Sequence, residues 1–92
     1  MKATQAPVAL ELFVRGQSPH SREAIQLVRR VCETHMPFGY SLEVIDIATQ
    51  PERVRAAGVM AVPTLVRRRP EPVLSTVGRL DEARVLAGLG LQ

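Results

Sequence analysis

Two runs of alternating apolar residues flank a stretch of helical periodicity in the first half of the chain, and this order restricts it to folds built on a parallel strand pair. Val8, Leu10, Leu12 and Val14 fall on one side of an extended run from Val8 to Arg15 that Gly16 ends. Ser18 followed by Pro19 is a helix start: the hydroxyl caps free amides, and proline lacks a donor where none is needed. Ala24, Val28, Val31, Cys32 and His35 then recur at spacings of three and four, widened by Ile25 and Leu27, until Pro37 and Gly39 close the helix. Leu42, Val44, Ile45 and Ile47, with Glu43 and Asp46 between them, form the second run. Two strands joined through a helix are expected to be parallel.

The second half adds three further elements and a short helix. Thr49 stands three residues before Glu52, a capping-box pattern that predicts a short helix through Val54 and Ala57, stopped by Gly58. Ala61 to Arg67 reads as a third strand with Pro63 at its mouth, Arg69 to Pro72 as a turn and Val73 to Val77 as a fourth strand. Leu80 to Leu89 reads as a last helix with Asp81 and Glu82 at its positive end. The predicted fold class is α/β, a single βαβαββα domain over residues 1–92, in outline a thioredoxin fold.

Size and composition agree with that reading. A chain of 92 residues has room for one core. Its aromatic side chains are only Phe13, Phe38 and Tyr40, so Val, Leu, Ile and Ala must fill the interior, which favours a sheet packed on helices. No apolar run approaches the roughly 18 residues that cross a bilayer, and the polar opening from Met1 to Gln5 lacks the apolar stretch of a secretory signal. The single cysteine, Cys32, has no internal partner. A cytoplasmic protein without a membrane role is expected. Of twelve basic residues only Lys2 is lysine, and arginine forks suit an acidic partner.

Few residues are arranged for catalysis. In thioredoxin-like enzymes the redox pair stands where the first strand turns into the first helix, because the helix N-terminus lowers a thiol pKa. Here that position reads Ser18-Pro19-His20-Ser21, with serine in place of both thiols, and a hydroxyl cannot cycle through a disulfide. Cys32 lies on the apolar side of the same helix, where free cysteine behaves as a small hydrophobe; a thiol oxidoreductase relying on Cys32 alone is the competing enzyme reading. His20 and His35 lie fifteen apart, and no set of about four ligands converges with either of them in the sequence, so no metal and no cofactor is expected. Pro63 in Val62-Pro63-Thr64 enters a strand where a thioredoxin fold uses a cis peptide. Arg67-Arg68-Arg69 is the densest charge run. It lacks interleaved aromatics, so an acidic protein surface is expected there rather than nucleic acid.

The segment Leu12-Phe13-Val14-Arg15-Gly16-Gln17-Ser18-Pro19-His20-Ser21 resembles the KaiB pattern Leu-Tyr-Val-Ala-Gly-Asn-Thr-Pro-Asn-Ser. Val44-Ile45-Asp46-Ile47 with Pro51, Ala61-Val62-Pro63-Thr64-Leu65, Pro70-Glu71-Pro72-Val73 and Val77-Gly78-Arg79-Leu80 resemble its later blocks in the same order. The resemblance implies a non-catalytic circadian-clock or clock-like protein that binds KaiC, a ring-shaped RecA-like ATPase. It also implies a choice between two folds, a monomeric thioredoxin-like form and a tetrameric ground-state form. By the same resemblance Arg67 is a basic KaiC contact, with Pro51, Glu52 and Arg55 of the short helix nearby, and Pro63 belongs to the same partner-binding set. Asp81 to Ala87, rich in helix formers and acidic at its start, favours the thioredoxin-like form, against a cost of about 1 kcal/mol each for Gly88 and Gly90 in a helix.

Overall fold

The computed structural model describes residues 7–91; the polar opening, residues 1–5, lies outside them. The elements are β1 (Val8–Val14), α1 (Pro19–His35), β2 (Tyr40–Asp46), α2 (Pro51–Ala57), β3 (Thr64–Arg69), β4 (Leu74–Val77) and α3 (Glu82–Gly88). The sheet order is β2-β1-β3-β4, with β1 and β2 parallel, as the crossover helix requires, and β3 antiparallel to both β1 and β4. This is the thioredoxin-like arrangement.

Alternation along β1 divides the interior into two unequal cores. On one face Val8, Leu10, Leu12 and Val14 pack with Leu65 of β3, with Ala24, Val28, Val31, Cys32 and Met36 along and just beyond α1, and with Val85 and Leu89 at α3. On the other, Phe13, Ile45 and Val66 are buried under Val54 and Ala57 of α2, helped by Ile47, Val59 and Val62. Helix α2 has no buried residue of its own.

Several local expectations need correction. His35 is exposed at the end of α1, and Met36 at the C-cap fills the apolar position instead, because the backbone leaves the helix there. The capping box at Thr49 does not form. Pro51 occupies the first turn, so the cap position falls on Gln50, which makes no side-chain cap bond, and the Thr49 hydroxyl donates back to the Asp46 carbonyl at 3.4 Å. Asp81 is the cap of α3, its carboxylate accepting from the Arg84 amide at 2.8 Å, so the helix begins later than Leu80. The third strand runs on past Arg67, so that Arg68 and also Arg69, expected to open the turn, lie within β3. Gly88 proves necessary where it stands, since a Cβ there would meet the Thr76 hydroxyl at 2.6 Å. Its helix cost is offset by close packing of α3 on β4.

Candidate protein-binding surface

The end of the sheet where β1 turns into α1 carries the position at which related enzymes hold thiols. Ser18 caps α1, accepting from the Ser21 amide at 3.1 Å. The Ser21 hydroxyl donates to the Arg15 carbonyl at 2.9 Å, and the two serine oxygens are 3.0 Å apart. Because Ser21 has already given its proton to Arg15, Ser18 is the donor between the two hydroxyls. Both side chains therefore fasten the β1–α1 turn. His20 beside them is exposed.

The Val62–Pro63 peptide is cis, and Pro63 accepts from the Gly78 amide at 2.8 Å, which ties the mouth of β3 to the end of β4. Pro63, Ser18, Ser21 and His20 line one open cavity of about 840 Å³. Arg15, Arg30 and Arg79 line it too. These three arginines were not singled out by spacing, since they come from three separate segments that only the fold brings together.

Cys32 lies inside α1 with no exposed surface, and burial, reinforced by Glu33, pushes its thiol up to about 11. At neutral pH it carries a proton and packs as a core residue, the opposite of an activated thiolate.

Pro51, Glu52 and Arg55 are exposed on α2. Their neighbour Arg53 points the other way. Its guanidinium meets Glu43 of β2 at 2.9 Å and Glu11 of β1 at 3.1 Å, while Arg68 of β3 meets the second Glu11 oxygen at 3.0 Å. The Arg53 hydrogen bond holds the Glu43 carboxyl below the usual carboxylate range, and Glu43 in turn raises Arg53. These four side chains seat α2 on the sheet.

Arg67 is not where an exposed contact would stand. On β3 it faces α3 and is only 8% exposed, donating to the Leu89 carbonyl and to the Pro72 carbonyl, each at 2.9 Å. A Cβ on Gly90 would collide with its guanidinium, so the glycine leaves the space that this side chain fills. Arg67 thus caps the C-terminal end of α3 and ties it to the β3–β4 turn. Its neighbours in strand order, Leu65 and Leu10, belong to the apolar face, which is why its side chain turns inward.

Among the described residues no group of three or more His, Cys, Asp or Glu converges as a metal site, and no helix is long and apolar enough to cross a membrane.

Fold and site together define a thioredoxin-like scaffold in which a capping pair of hydroxyls stands at the redox position. The KaiB domain model matches residues 11–90, and the chain belongs to the KaiB family. It is 40% identical over 83 residues to the circadian clock oscillator protein KaiB of Synechococcus sp. (strain RCC307), covering 89% of this chain and 76% of that protein. With the circadian clock protein KaiB3 of Synechocystis sp. (strain ATCC 27184 / PCC 6803 / Kazusa) it shares 32% identity over 85 residues, 91% of this chain and 83% of that one. Among solved structures, the N-terminal domain of Synechococcus elongatus SasA superposes with a TM-score of 0.75 at 26% identity, covering 100% of this chain and 91% of that one. Chloroplastic thioredoxin z superposes at 0.72 with 18% identity over 94% of this chain and 78% of its own, a likeness of fold alone.

Proposed function

We propose that this chain is a non-catalytic, cytoplasmic clock-type regulator that docks on a KaiC-type RecA-like ATPase and adjusts its activity. The observation that carries this reading is the family match over residues 11–90 on a scaffold whose redox position holds hydrogen-bonded serines and whose one thiol is buried and protonated. The docking surface is α2 with the segment leading to Pro63. Pro51, Glu52 and Arg55 are exposed there, and Met60 between them and Pro63 is 94% exposed, a large apolar side chain that suits a protein contact. Arg67 enters this surface indirectly, through the turn and C-terminal segment it holds.

Size-exclusion chromatography with a purified KaiC-type ATPase tests the proposal. A stable complex is expected, weakened by Arg55→Glu and Met60→Ser. Arg67→Ala is expected to weaken it only in step with lost stability, since its two carbonyl partners are left bare at about 1–3 kcal/mol. No complex with the wild-type chain, or turnover of a dithiol substrate by it, would overturn the reading.

A further inference from the structure

Strand β4 ends the sheet, with no strand on its outer side among the described residues. Its ladder to β3 pairs Val77 with Thr64, Thr76 with Leu65, Ser75 with Val66 and Leu74 with Arg67. In an antiparallel ladder alternate residues turn both backbone groups toward the neighbour. The Gly78 amide donates to the Pro63 carbonyl at 2.8 Å, so Gly78, Thr76 and Leu74 are the residues that face β3. The amides and carbonyls of Ser75 and Val77, and of Val73 one step before the strand, point outward. The Val77 carbonyl shows this directly, since Arg84 of α3 reaches round the edge to donate to it at 2.6 Å.

The side chains of the same residues lie on the α2 side of the sheet, because Ser75 stands beside Val66 and Val77 beside Thr64. Helix α2 and its flanking residues pack over Phe13, Ile45 and Val66 and leave β4 uncovered. Val73 is 49% exposed and Val77 51%. An edge with outward backbone groups and exposed β-branched side chains is a template for another strand.

This edge is complementary to itself. A second copy laid antiparallel about Ser75 sets Ser75 against Ser75, Val73 against Val77 and Glu71 against Arg79, with the outward backbone groups opposite one another. Moving the centre to Leu74 sets Val73 against Ser75 and Val77 against Glu71. Moving it to Thr76 sets Val77 against Ser75 and Val73 against Arg79. Of the three, the Ser75 centre alone matches valine with valine and opposite charges at both ends. Glu71 and Arg79 are exposed, and among the described residues neither makes an ion pair.

We infer that β4 pairs with β4 of a second copy of this chain, antiparallel about Ser75, joining the two sheets into one. Opposed residues of such a pair share a face, so both copies present α2 on the same side of the joined sheet. Arg84 guards the edge, because its guanidinium must leave the Val77 carbonyl before Val73 of the second copy can donate there. The strand has 4 residues, a contact of about 14 Å, well short of a standard interface, so the dimer is weak and depends on concentration.

Sedimentation equilibrium of the full chain from micromolar to millimolar concentration tests this. The average mass is expected to rise toward that of two chains. Ser75→Pro is expected to abolish the rise, since it removes an outward amide that β3 does not use. Glu71→Arg and Arg79→Glu are each expected to weaken the dimer roughly three- to tenfold, and the double variant Glu71→Arg, Arg79→Glu to restore it. Arg84→Ala is expected to tighten it. Circular dichroism confirms that each variant is folded. A single-chain mass at every concentration, self-association untouched by Ser75→Pro, or a double variant no better than either single one would each overturn the inference. These outcomes leave ATPase docking through α2 untouched, because that reading rests on Arg55 and Met60.

Discussion

The two faces of the sheet are held by different physics. Under α1 and α3, a continuous apolar cluster draws on every residue of β1 that points that way and on five positions along and just beyond α1. Under α2, three buried side chains suffice, and the rest of that face is closed by Glu43, Arg53, Glu11 and Arg68. Apolar burial is non-directional and is not screened by salt, whereas an ion-pair clasp with partly exposed members is weak and screened. The first face therefore carries stability. The second leaves a short helix, with no buried residue, available to a partner.

The comparison breaks most visibly at Phe13 and Leu12, adjacent residues with no exposed surface on opposite faces. Phe13→Ala is expected to cost about 3–5 kcal/mol in a urea melt, because the thin core has no other ring to close the cavity. It is also expected to release α2, seen as faster amide exchange across residues 51–57. Leu12→Ala lowers stability while leaving the difference between α2 and α1 unchanged. If Phe13→Ala cost under about 1 kcal/mol, the thin face would not depend on its buried ring.

A smaller effect sharpens the same contrast. Glu11→Gln removes the carboxylate that Arg53 and Arg68 share, and is expected to cost about 1 kcal/mol at low salt and close to nothing in about 1 M salt. Glu43, held below its usual range by Arg53, contributes fully above the ordinary glutamate pKa and loses its contribution as pH falls through the lowered value. An acid-side loss of stability that disappears in Glu43→Gln is the expected signature. Melting curves in both salts, and from pH 7 down to below the ordinary glutamate pKa, measure it.

Much of this was legible in the residues. The strand–helix–strand opening, the Ser18 cap, the buried Cys32 and the proline at the mouth of β3 all follow from local chemistry, because spacing and capping are short-range properties. The capping box at Thr49 failed for a local reason as well, since Pro51 fixes where the helix begins. Arg67 was misplaced because charge runs are usually solvated. Its inward turn depends on strand parity, on the open carbonyls of Leu89 and Pro72 and on the bare Cα of Gly90, all remote in sequence. The cavity lined by Arg15, Arg30 and Arg79 and the Glu11 clasp had no spacing signal at all, being assembled from segments that meet only in the folded sheet.

Amide hydrogen exchange on the chain alone and with a KaiC-type ATPase tests the docking claim most directly. The account predicts that residues 51–57 and the approach to Pro63 exchange fastest among the ordered elements when free, and gain the most protection in the complex. Protection gained over α3 with α2 unchanged would contradict it.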